Sequence, residues 1–225
     1  MSYASRWSTR LVPALAVVVV VFLTYSLPPY LTGGTRVPPT FGLHYPLLVA
    51  HVLLASVAMT CAVAQIWPGL RRRHPVLHRR TGRGYVATAI PAAVCAMVIG
   101  AATPFGPILA VSNVTLGALW LWFTVDGFVA ARRSRFGAHR RQMLRSATLA
   151  LSIITNRIWA PVLYLGFEPL RDSAFGGNEE KYLWFVAGVG GWLGWTIPLL
   201  LLQTWLRRQS RAGSGPVLMA TSVPR

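Results

Sequence analysis

The sequence predicts an all-α integral membrane protein, a polytopic bundle of about six transmembrane helices with N- and C-termini cytoplasmic. Three observations predict it: a composition too apolar for a soluble domain to cover, apolar runs long enough to span a bilayer, and arginines confined to alternate loops. Of the 225 residues, 54% are hydrophobic and only 12% charged, and the mean hydropathy is +0.49.

The apolar segments fall at about 11–27, 46–67, 85–103, 108–131, 147–166 and 182–206. Each is near the ~20 residues needed to cross a ~30 Å hydrocarbon core, and together they make one transmembrane domain over residues 1–208. The first, LVPALAVVVVVFLTYSL, has Pro13 in its first turn, where a missing N–H costs little. No small-residue cleavage site follows it, so it is expected to be an uncleaved anchor rather than a signal peptide. Segments three and four are joined by TPFGP, a Pro/Gly turn that forces an antiparallel hairpin. In the last segment, Ala187 with Gly191 and Gly190 with Gly194 have the small-xxx-small spacing that lets helices approach closely. Spans two to five are expected to build the core, with spans one and six packed outside. Tyr30, Tyr45, Tyr182, Trp184 and Trp205 stand at span ends as expected interfacial belt residues. Residues 209–225, rich in Gly, Ser and Pro and without periodicity, are expected to form a disordered cytoplasmic tail. Cys61 and Cys95 lie on different helices at different depths, which suits small buried apolar residues and not a disulfide.

Charge sets the orientation. One set of loops holds Arg6, Arg10, Arg71, Arg72, Arg73, Arg79, Arg80, Arg83, Arg132, Arg133, Arg135, Arg140, Arg141, Arg145, Arg207, Arg208, Arg211 and Arg225; the other holds only Arg36, Arg171 and Lys181. The positive-inside rule makes the first set cytoplasmic. Glu168, Asp172, Glu179 and Glu180 all lie in the long loop between segments five and six, on the opposite side. The formal charge of +17 suggests nucleic acid at first sight. A duplex-binding protein needs its basic stripe on a solvent-exposed element, whereas these arginines sit in short segments between apolar runs. The lipid bilayer and its anionic headgroups are therefore the expected partners, and nucleic acid is not.

Ionisable groups inside a span cost ~2.5–3.5 kcal/mol each at its centre on insertion scales, which makes them functional candidates. Arg157, with Asn156 beside it, falls near the middle of the fifth span and is expected to need a polar partner within the bundle. On that ground Arg157→Leu is expected to disturb function or assembly more than Arg133→Leu. His51 lies somewhat to the outer side of midplane in span two. An anionic ligand between His51 and Arg157 is one reading, and a structural hydrogen-bond network the other. Asp126 is level with the arginine-rich rim, either in an ion pair with Arg83 or Arg145 or as a proton-relay carboxylate. Gln65 is a headgroup-level or interhelical hydrogen-bonder. Two segments are alike: HRRTGRGY (His78 to Tyr85, with Arg79, Gly82 and Arg83) opens span three, and HRRQMLR (His139 to Arg145, with Arg140) opens span five. At a helix N-terminus the dipole favours anions, so phosphate headgroups suit both boxes; ordinary positive-inside charge is the plainer explanation.

These residues resemble the bacterial predicted membrane proteins grouped as domain of unknown function 2306. That family's pattern is a histidine in one helix, a later glutamine, an HRxxGRxY box, and an HRxWMxR box followed by an arginine within the helix. His51, Gln65, His78 to Tyr85, His139 to Arg145 and Arg157 match it, and Gln142 departs from it where the second box has tryptophan. The resemblance covers spans two to five and implies the named residues as a site, but no activity. A fainter similarity runs to four-helix membrane cytochromes of the b type.

The function expected is binding of a small anionic or lipid-derived ligand at an intramembrane polar site. A membrane redox protein carrying b-type haem or quinone is the alternative, and a structural scaffold the third class. Haem is not favoured: bis-histidine ligation needs two imidazoles at one depth on facing helices, and His51 has no such partner. His78 and His139 match in depth only at the rim, which leaves a single-histidine site at His51 with Arg157 on a propionate. No metal-ligand spacing, nucleophile-base pair or phosphate-cradling glycine loop is present in the sequence.

Overall fold

The computed structural model describes residues 3–213, and among these the regular structure is helical throughout. In chain order the helices are α1 (Tyr3–Ser26), α2 (Pro28–Leu31), α3 (His44–Ile66), α4 (Pro68–Arg73), α5 (Pro75–Ala101), α6 (Pro107–Arg132) and α7 (Phe136–Phe167). A 3₁₀ turn (Glu168–Leu170), α8 (Arg171–Phe175) and α9 (Glu179–Gly213) follow. Proline opens α2, α4, α5 and α6, where its missing N–H has no partner to lose and its fixed φ suits the first turn.

Five helices, α3, α5, α6, α7 and α9, are long and apolar enough to cross a membrane. The first predicted span is helical too, but its apolar stretch, Leu11–Ser26, is shorter than the others. Sequential crossing helices pack side by side, and α9 also packs on α6, while α1 touches the bundle mainly along α3. Charge bias divides the ends of the bundle into an arginine-rich face, at the α4–α5 elbow and the α6–α7 turn, and an acidic face at α8.

The predicted hairpin at TPFGP is present between α5 and α6 and has a clasp. Gly106 has φ +89°, a conformation that favours glycine, and a Cβ there would lie 2.7 Å from the Trp184 indole. Trp184 donates its indole N–H to the Pro104 carbonyl at 3.2 Å, tying α9 to this turn.

Three expectations are corrected. Span six is not outside the core: Trp195 of α9 shares a buried cluster with Ala58, Tyr85, Ala92, Trp120 and Ala147, and donates to Ser112 Oγ of α6 at 3.0 Å. The glycines make this possible. A Cβ on Gly188 would meet Ile108 of α6 at 2.9 Å, and one on Gly194 would meet Asn156 Cβ of α7 at 3.0 Å, so α9 presents two smooth faces to two neighbours. The tail does not begin at 209 either, because α9 continues to Gly213, with Gln209 accepting a hydrogen bond from Arg140 at 3.3 Å; residues 214–225 lie outside the described residues. Finally, Tyr182 and Tyr30 are buried rather than interfacial. Tyr182 stacks on Tyr164 and Phe175 and donates to the Tyr164 carbonyl. Both cysteines are free, as expected.

The basic boxes sit further into their helices than their apolar runs suggest. α5 starts at Pro75 and α7 at Phe136, so His78 and His139 are each the fourth residue of a helix. Nothing in HRRTGRG or HRRQMLR breaks a helix outright, and burial of the following turns carries it backward.

Candidate functional site

At the arginine-rich end the boxes act as connectors. Gln65, at the end of α3, donates through Nε2 to the His78 carbonyl at 2.7 Å and to Thr81 Oγ1 at 2.5 Å. A Cβ on Gly82 would sit 3.3 Å from Gln65 Oε1, so glycine in the box makes room for this carboxamide. Tyr85 is 1% exposed. Its hydroxyl bonds Ser146 Oγ of α7 at 2.6 Å and accepts from Trp120 Nε1 of α6 at 3.1 Å. Thr124 completes the group, 2.7 Å from Ser146 Oγ. Three helices are thus joined through one buried hydroxyl cluster, in which each buried polar group finds a partner.

The second box works similarly. His139 donates from Nδ1 to the Gly127 carbonyl of α6 at 2.8 Å, which leaves Nε2 as the acceptor nitrogen of the neutral ring. Asp126 does not ion-pair with Arg83 or Arg145; among the described residues the one ion pair is Arg171 with Glu179 on the acidic face. Instead Gln142 bridges: its Nε2 donates to Asp126 Oδ2 at 2.5 Å, and its Oε1 accepts from Arg145 Nη1 at 2.6 Å. Arg145 reaches on to Gln203 Oε1 of α9 at 3.0 Å. Gln142, which departs from the family's tryptophan, therefore serves as a hydrogen-bond relay across three helices. Arg140 lies over the Trp205 ring at 5.6 Å.

Arg79 and Arg83 have no such role. Both are exposed, and neither makes a hydrogen bond or ion pair among the described residues. His78 is half-buried, with Nδ1 sealed from solvent and unpartnered; Arg71 and His139 stand near enough to act on it electrostatically.

The middle of the bundle is a separate region. His51 donates from Nδ1 to the Ala92 carbonyl at 2.8 Å, which again leaves Nε2 free to accept. Ala92 is ten residues along α5 from Ala102, at the acidic end, or about 15 Å at helical rise. Asn156 packs against Gly194, ten residues along α9 from Trp184 at the same end, again about 15 Å. His51 and Arg157 are therefore at matching depth, near the middle of a ~30 Å core.

Helical register sets both in line with one seam. Ala58 and Ala62 of α3 lie in one buried cluster with Ala147 and Ala150 of α7. His51 is seven residues from Ala58 and Arg157 seven from Ala150, two turns along, so each continues its alanine stripe. On α7 the cover ends there: Arg157, Ile158, Ala160, Pro161 and Val162 are exposed, while Leu163 is held by α9. Arg157 has no hydrogen-bond or ion-pair partner among the described residues.

The five predicted ligand residues thus divide. Gln65 and Asp126 belong to the connectors at the arginine-rich end, whereas His51, Arg157 and Asn156, the last packed on Gly194 of α9, leave polar groups available at one depth. Sequence reasoning missed Trp120, Thr124 and Ser146, which look like ordinary span residues. Gln203, after the four leucines of LLLLQTW, was a visible signal.

No curated protein and no solved structure matches the chain. The family model described as predicted membrane protein, domain of unknown function 2306, matches residues 48–206. That stretch takes in both basic boxes, His51, Arg157 and most of all five crossing helices, and the chain belongs to this family of predicted membrane proteins.

Proposed function

We propose that the protein binds a small anionic, lipid-derived ligand in the seam between α3 and α7, with its charge on Arg157. One observation carries this reading: an arginine exposed at mid-bilayer depth without a protein partner. Left alone in hydrocarbon, that side chain costs ~2.5–3.5 kcal/mol on insertion scales, and snorkelling along ~15 Å of helix exceeds its reach. An anion in the seam offsets this cost. His51 Nε2 supplies an acceptor for a ligand hydroxyl, or a second donor when protonated. The flanking Ile158, Val162 and Leu165 are 59%, 52% and 70% exposed and suit an apolar tail.

The test is to extract purified protein and identify acidic amphiphiles by mass spectrometry, comparing the native chain with Arg157→Leu. The reading fails if no acidic molecule is carried by the native chain, or if the variant carries it equally. A visible spectrum separates the haem alternative: no Soret band is expected, and one that disappears in His51→Ala would make electron transfer the function instead.

The same reading places the arginine-rich face in the cytoplasm of a bacterial plasma membrane, with α1 as a sixth crossing. Cytoplasmic reporters fused after Arg73, Arg135 and Arg211 should be active, and those within residues 31–43 and 170–180 should report the outside. A cytoplasmic signal from 170–180 would reverse this orientation.

A further inference from the structure

A second site stands apart from the seam, at the elbow between α4 and α5. His74 interrupts the helix there with φ −132° and ψ 65°, and Pro75 starts α5 in a new direction. The elbow is firmly placed. Leu70 of α4 is 4% exposed, the His74 amide bonds the Leu70 carbonyl at 2.9 Å, and the His78 amide bonds the His74 carbonyl at 3.0 Å.

This bend encloses an open cleft of about 320 Å³, lined by Arg73, His74, Pro75, Val76, Leu77 and Arg80. Two guanidinium groups and an imidazole meet there, and no carboxylate answers them: neither Arg73 nor Arg80 has a hydrogen-bond or ion-pair partner among the described residues. Val76 and Leu77 form the other wall and are 52% and 47% exposed. Trp67, 47% exposed, stands at the start of α4, an indole of the kind found at headgroup level.

We propose that this cleft binds the phosphate headgroup of an anionic lipid, held by Arg73 and Arg80, with Val76 and Leu77 packed beside the headgroup. Forked guanidinium donors match a phosphodiester's oxygens. The apolar wall beside them favours a lipid over free phosphate. Charge bias alone gives a diffuse preference shared by every arginine on this face, whereas a built cleft concentrates it on two of them. The headgroup partner expected for the HRRTGRGY box thus moves one turn earlier, because Gly82 and Tyr85 face into the bundle.

The experiment uses the full chain in mild detergent, titrated with phosphatidylglycerol or phosphatidylcholine and followed by native mass spectrometry. Phosphatidylglycerol should be retained in preference. Arg73→Gln with Arg80→Gln should weaken its binding about 30-fold, at about fivefold per basic side chain. Arg132→Gln with Arg133→Gln, which removes equal charge from the same face but lies outside the cleft, should change it much less. Equal loss in both pairs would reduce the cleft to diffuse charge and overturn the proposal. Displacement of the lipid by inorganic phosphate at matched concentration would reassign the cleft to free phosphate, and equal retention of the two lipids would abolish it. Should the glutamine pair fail to fold, Arg73→Lys with Arg80→Lys serves: it keeps the charge and loses the fork, and undiminished binding would count against the site.

Discussion

Arg157→Leu is expected to empty the α3–α7 seam of its acidic ligand while leaving the bundle, once both proteins are delipidated, as stable as the native chain, or more so. The reason is the absence of a protein partner. Replacing an arginine inside a polar network leaves buried groups unpaired and destabilises a fold, but no described group loses a bond when this guanidinium goes. Leucine removes an insertion cost of ~2.5–3.5 kcal/mol and resembles the neighbouring exposed Ile158 and Leu165. Ligand retention should therefore fall at least about tenfold, the scale of a lost charged contact, while the melting temperature of the delipidated protein in detergent holds or rises. Arg133→Leu, at the arginine-rich rim, should leave retention unchanged. A drop in melting temperature for Arg157→Leu relative to the native chain, both delipidated so that ligand loss does not contribute, would show that the side chain has a structural partner, and the seam reading would fall with it.

Tyr85→Ala is expected to have the largest effect on stability, about 3–5 kcal/mol by analogy with aromatic truncations in packed cores. It removes a 1% exposed ring and orphans Ser146 Oγ and Trp120 Nε1 together. Tyr85→Phe separates the two contributions. It keeps the packing and loses only the hydroxyl, which should cost about 1 kcal/mol, since hydrogen bonds between membrane helices average less than their soluble counterparts suggest. Denaturation with increasing detergent harshness, followed by circular dichroism, measures both. Similar losses from the two variants would assign the stability to the hydroxyl cluster instead of the ring.

Much of this architecture was legible because a bilayer imposes length. Runs of about 20 apolar residues identify crossing helices whatever their neighbours, and TPFGP between two such runs leaves little choice but a hairpin. What the sequence hid is direction. In α5, α6 and α9 apolar residues face lipid and protein alike, so no polar stripe marks the buried side. That is why α9 could be taken for an outer helix although Trp195 lies in the core. It is also why Arg157 could be placed in depth but not in azimuth: lying two turns beyond Ala150 puts it on the seam, and only the end of the α7 cover leaves it open. Gln142 was a departure from the family's pattern, and its role as a relay depends on Asp126 and Gln203 from two other helices.

The two glycine faces of α9 also set an order of assembly. α9 is the last of the described helices to leave the ribosome, and Arg145, Thr155 and Ser112 each take a partner from it. Before it arrives, α6 and α7 hold a slot lined with polar groups that lipid cannot satisfy. The slot closes only when a helix smooth enough to slide between them comes in, which makes α9 a keystone. A chain stalled or cut short before Glu179 would sit in the bilayer with that slot open, marked for membrane quality control by the same groups that later lock the finished bundle.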